Sequence, residues 1–212
     1  DSFLRSDQVA GGVTWANVRT TFTGAFDSNT TASARLRGGT TSNQWRTLDK
    51  GGHGFATSTI GTDTIDSAIL SVYGQGSQNT AAYGGLSIDL DAYTPASETA
   101  GTSTDGNAAN WDGVRQATGI TFASFNTAAY NDFTLNATGL GNINKTGNSW
   151  FGFRPSADLD NSEPTWENDV ESDVSFYQVD QTGTANDPKL VVVHSAAAVL
   201  STIPTLLTLG VG

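Results

Sequence analysis

Apolar residues in this chain come in short runs that alternate with polar ones, and they never extend into an i, i+3, i+4 stripe of any length. Alternation puts successive side chains on opposite faces of a strand, so the pattern selects β-structure over helix. Ile65–Tyr73 (IDSAILSVY) is the clearest case: Ala68, Leu70 and Val72 share one face, and Ile69, Ser71 and Tyr73 the other. Ala34–Arg37, Gln44–Leu48, Leu86–Leu90, Ile120–Phe125, Asp132–Leu135, Ser149–Phe153, Asp173–Asp180 and Lys189–Ser195 read the same way, after an extended start at Ser2–Arg5. Within Val13–Phe22, Val13, Trp15 and Val18 are the inward candidates. Gly, Asn and Asp clusters separate the runs and supply turns. Thr, whose branched Cβ packs well on a pleated surface, is the commonest of the 212 residues, with 30 copies. The best helix candidate is Asn107–Ala117 (NAANWDGVRQA), short and interrupted by Gly113. The expected fold is all-β: an antiparallel two-sheet sandwich, jelly-roll-like, as one domain over residues 1–195.

The last 17 residues, Ala196–Gly212, carry no charge. Val199, Leu200, Ile203, Leu206, Leu207 and Leu209 make this stretch strongly apolar. Left exposed, such a β-prone segment is an aggregation hazard. Two readings stand side by side. One is a final strand folded back on its own sheet, with Pro204 placing it at an edge. The other is an arm that packs into a neighbouring subunit of a homo-oligomer or larger assembly.

Composition excludes several function classes. Twenty-one acids against ten bases give a net charge of -11, and no basic stripe exists, so nucleic acid is not an expected partner. No apolar run is long enough to span a bilayer as a helix. Cys is absent, which removes disulfides, Cys-ligated zinc and Cys nucleophiles. The two histidines, His53 and His194, have no ligand spacing, and no G-x-S-x-G elbow is present. The reading is therefore non-enzymatic. A Thr/Ser/Asn-rich surface with three Lys suits an extracellular setting, and an Asp1 start without Met or signal peptide reads as a processed or trimmed product.

Two sets of side chains are candidates for binding. Asp158, Asp160, Glu163, Glu167, Asp169, Glu171 and Asp173 place seven carboxylates in sixteen residues, and no Lys or Arg falls between Arg154 and Lys189. Such density repels itself unless water or a cation neutralises it. Calcium takes six to eight oxygens, so Asp158, Asp160, Glu163 and Asp169 are the calcium candidates, although Glu163 breaks the EF-hand pattern. A solvated acidic loop is the plainer alternative. Asp89 and Asp91 form a second, weaker cation candidate. Among five tryptophans, Trp15, Trp45 and Trp150 sit in strand patterns and read as core, whereas Trp111 and Trp166 sit in polar surroundings and are the ligand candidates, as flat faces for a glycan. Asn29, Asn136 and Asn144 open Asn-x-Thr sequons.

Three stretches resemble one known family. Asp1-Ser2-Phe3-Leu4-Arg5-Ser6 is similar to the Asp-x-x-aliphatic-Arg opening of DNRLRE-type domains, Phe55–Tyr73 (FATSTIGTDTIDSAILSVY) to their internal signature, and Asn186-Asp187-Pro188-Lys189-Leu190-Val191-Val192-Val193, preceded by the aromatic strand Ser175-Phe176-Tyr177, to their closing Pro-Lys-Leu-x-Val strand. Ala56 stands where the family often has Asp. The resemblance implies a jelly-roll-like sandwich related in shape to carbohydrate-binding modules, found in bacterial surface proteins and in structural proteins of tailed phages. It brings no catalytic motif. The expected function is thus a structural or attachment protein of an extracellular assembly, a tailed-phage virion component (capsid decoration, tail or fibre) on the virion surface with glycan contact. The alternative is a carbohydrate-binding or adhesion module of a secreted bacterial protein.

Overall fold

The computed structural model describes residues 2–26, 30–78, 83, 85–98, 100–180 and 182–197. In chain order the elements are β1 (Ser2–Asp7), α1 (Trp15–Thr20), β2 (Gly24–Phe26), β3 (Thr31–Gly38), β4 (Trp45–Ala56), β5 (Thr64–Gln78), β6 (Ser87–Tyr93), β7 (Trp111–Arg115), β8 (Ile120–Thr121), β9 (Tyr130–Thr134), α2 (Ala137–Gly141), β10 (Asn148–Pro155), α3 (Ser156–Leu159), β11 (Glu171–Tyr177) and β12 (Lys189–Ser195). The fold is all-β, and every strand pairing among the described residues is antiparallel.

The pairing does not divide into two separate sheets. Hydrogen bonds follow one path, β12-β5-β11-β3-β4-β10-β6-β7, with β1, β2, β8 and β9 joined at its sides. The long strand β5 makes this continuity. Its first part pairs with β12 and β9, and from Gly74 onward it pairs with β11. The sheet curls on itself, so that Phe133 of β9 meets Phe153 of β10 at 5.3 Å between ring centroids, though these strands do not pair. Phe153 in turn meets Phe176 of β11 at 5.0 Å. Leu36, Leu70, Val72, Ile88, Leu90 and Val174 fill the same core. The alternation expected in β5 holds: Ala68, Leu70 and Val72 are all buried.

The expected helix over Asn107–Ala117 is a correction. Ala108–Asn110 forms a single 3-10 turn, and Trp111–Arg115 is strand β7, paired with β6. Gly113 sits at φ +70°, which a helix does not accommodate. Asp91 of β6 accepts from the N–H groups of Gly113 and Val114, so tertiary pairing overrides local helix propensity. A helix forms instead at Trp15–Thr20, where the Thr14 hydroxyl caps Asn17 N and Trp15 and Val18, three apart, are buried.

His53 lies in the core, 1% exposed, against Phe55, Phe153 and Phe176, and burial lowers its pKa to about 3. The apolar segment after residue 197, with Val199, Leu200, Ile203, Leu206, Leu207 and Leu209, lies outside the described residues.

Where β5 passes from one set of partners to the other, a Cβ on Gly74 would stand 1.8 Å from the backbone oxygen of Asn126. Backbone cannot swing away as a side chain can. Gly74→Ala is expected to destabilise the fold by about 1–3 kcal/mol or more in urea unfolding. Gly141→Ala, where nothing lies within 4 Å, serves as the control.

Candidate functional site

Beyond the ends of β6 and β10 lies a cleft of about 320 Å³. Register places its aromatic wall: Phe151 pairs with Ala92, which brings Trp150 and Tyr93 together at 6.1 Å with rings nearly perpendicular. Trp150 lies against Gly54, its partner on β4, where a Cβ would come within 2.7 Å of the indole. Tyr93 is held from beneath by Trp111, 4.9 Å away.

The remaining wall is polar and ordered. Asn148 Nδ2 donates to Glu98 at 2.8 Å. Asn142 Nδ2 donates to Asp112 and to Gln116 Oε1, both at 2.9 Å. Asn144 Oδ1 accepts from the Thr146 N–H and hydroxyl, both at 3.1 Å. Asn142, Asn144, Asn148, Glu98 and Asp112 thus line the cleft with planar groups whose orientation is set by partners. Among the described lining residues there is no Lys or Arg. Tyr93 is itself 3% exposed and backs the wall, so such a surface offers the face of Trp150 for C–H groups and amides and carboxylates for hydroxyls.

Trp111, expected as a ligand platform, is a correction: it is 6% exposed. Its ring covers Gly152, its Nε1 donates to Asp105 O at 2.8 Å, and Lys50 and Arg154 stand over it at 5.1 and 5.4 Å. It supports Tyr93 from inside. Trp166 is half-buried against the core. Trp150, read as core, both packs on the core and lines the cleft. The cue for this site was the string Asn142–Trp150, three asparagines leading to a tryptophan, of which sequence reasoning used the Asn144 sequon and read Ser149 and Trp150 as strand and core. Asn136, the second sequon residue, caps α2 through Gly139 N; Asn29 lies outside the described residues.

The four calcium candidates are not gathered into one site, because each carboxylate has its own partner. Asp158 is buried between Lys50 Nζ at 3.0 Å, Arg154 Nε at 2.7 Å and Arg19 Nε at 2.8 Å. Burial alone would raise its pKa, but these three cations outweigh it and hold the carboxylate below its ordinary value. Asp160 takes a two-pronged contact from Arg115, whose Nε also reaches Asp89 at 2.7 Å. Glu163 accepts from Trp45 Nε1 at 2.7 Å, and Asp169 from Arg37. Asp91 is paired with Arg154 at 2.8 Å. Among the described residues, no three His, Cys, Asp or Glu are grouped so as to hold a metal.

Lys50, 1% exposed, lies under Phe22 and Trp111 and donates to Gly106 O. Burial, countered by Asp158, lowers its pKa to about 8.

In comparisons with known proteins, no family model matches this chain, and no curated protein matches it.

Two expectations follow from the charges. Asp158→Asn removes the anion that serves three buried or half-buried cations, and should cost about 3–5 kcal/mol in urea unfolding. Arg5, Asp49, Arg35 and Asp173 stand level across β1, β4, β3 and β11, with Asp49 fully buried among them. Asp173 Oδ1 has no hydrogen-bond partner among the described residues, and burial, offset in part by Arg35, raises its pKa to about 7. A carboxyl raised in the folded state contributes stability that is complete below its unfolded pKa of about 4 and lost as pH rises through the folded value. Asp173→Asn should therefore be more stable than the parent at about pH 8, with the difference shrinking as pH falls and gone by about pH 4.

Proposed function

We propose that this chain is a non-catalytic attachment and structural domain of an extracellular assembly, and that the Tyr93–Trp150 cleft is where it holds a glycan. The observation that carries this reading is the combination of the Trp150 ring, backed by the buried Tyr93, with three oriented asparagines and two carboxylates in one cleft. Sugar hydroxyls need paired planar donors and acceptors, and sugar C–H faces need an aromatic surface. With Glu98 and Asp112 on the wall and no base among the described lining residues, the ligand is a neutral or amino sugar rather than a uronate or sulfated one.

The setting rests on other support. The stretches similar to DNRLRE-type domains fall on β1, on the end of β4 with β5, and on β12, and two of these are paired neighbours, since β12 lies against β5. A surface rich in Thr, Ser and Asn agrees with an extracellular location, with a tailed-phage virion as the leading one. No helix among the described residues is long and apolar enough to cross a membrane.

A glycan array with neutral, amino and acidic sugars tests the ligand, followed by calorimetry on the best binder. Trp150→Ala and Asn148→Ala should each weaken binding by roughly tenfold, while Trp166→Ala leaves it unchanged. Binding to no glycan, or a preference for uronates, overturns the reading of the cleft. Turnover of the bound glycan overturns the non-catalytic part.

A further inference from the structure

Strand β12 ends the hydrogen-bonded path and pairs with β5 alone among the described residues. Both of its faces are apolar. On the outer face Val191 and Val193 are 53% and 54% exposed, and Ile69, which pairs with Val191, adds to the same stripe. On the inner face Leu190 and Val192 join Ile60 and Thr57 along a groove of about 200 Å³. Charge guards only the ends. Lys189 stands over the Tyr130 ring at 3.6 Å, and His194 meets Asp63 at 2.8 Å. Between them Leu190–Val193 offers an edge with no charged side chain, the kind of edge that accepts another strand.

The segment that follows matches this edge in kind. Val199-Leu200 and Leu206-Leu207 are adjacent apolar pairs, so a strand formed there is apolar on both faces, as β12 is. A tight return onto β12 in the same chain would require a turn at residues 196–198. These are three alanines, without the Gly, Asn or Asp that a two-residue hairpin turn demands. The sequence therefore favours a route away from its own edge.

We propose that Val199–Leu209 of one copy adds as a strand to the free edge of β12 in a second copy. The inference rests on the reading of the chain as part of an assembly, and it is independent of the glycan cleft.

Light scattering on the full chain, with variants on each side of the proposed contact, tests it. The donor variant is Ile203→Asp with Leu206→Asp. The acceptor variants are Val191→Lys and Val193→Lys, made separately; both side chains are more than half exposed, so the core is untouched. Circular dichroism confirms the fold of each, and either acceptor variant suffices. The expected result is an oligomer for the parent and the 22.1 kDa monomer for both donor and acceptor variants. A monomeric parent overturns the proposal. So does dissociation of the donor variant alone, which puts the segment on another surface, or of an acceptor variant alone, which means that β12 edges pair without the segment. An oligomer that survives every variant also overturns it. Glycan binding by the folded variants reports on the cleft separately.

Discussion

A buried chain of charges joins the sheet to its cover. Lys50 comes from β4, Arg154 from β10, Asp91 from β6 and Asp158 from α3, and Arg19 reaches in from α1. Three neighbouring strands and both helices on this side thus depend on one another's side chains. Charges this deep are stable only as a complete set, since each ion removed from water has to be met by its counter-ion and by hydrogen bonds. The set also positions the cleft. Lys50 and Arg154 pack on Trp111, Trp111 packs on Tyr93, and Tyr93 shapes the wall with Trp150. The cleft at the rim is in this way set by ion pairs in the interior.

Much of the strand framework was legible because it depends on local alternation. Ile65–Tyr73 and Ser149–Phe153 fall within observed strands, and Lys189–Ser195 is a strand with those bounds. What was not legible depends on partners far along the chain. The acidic segment looked unneutralised because its bases lie elsewhere: Arg19 is 139 residues from Asp158, and Arg37 is 132 from Asp169. Strand β7 carries alanines just before it and reads as helix, until the open edge of β6 and the carboxylate of Asp91 claim its backbone.

The candidate site was less legible than the fold, and for a related reason. Trp111 stands among Asn and Asp in sequence, so it looked exposed, yet Gly152 leaves a space on the neighbouring strand that only a large flat side chain fills. Trp150 stands in a strand pattern, so it looked wholly internal, yet it sits near the strand's start, where the sheet meets its connecting loops. Polarity of neighbours in sequence predicts exposure poorly for tryptophan, because a ring this size is placed by gaps in other elements.

The position of β12 also decides how the domain would bear tension. A pull on the chain beyond Ser195 runs along the axis of β12, whose seven residues lie antiparallel to β5. The rungs cross the line of pull and share it in shear, so they do not open one by one. From Gly74 onward β5 passes the load to β11, and β11 is held along its length by β3. The Tyr93–Trp150 cleft lies towards the β6–β7 end of the path, off this line, so a load entering through β12 reaches the cleft last.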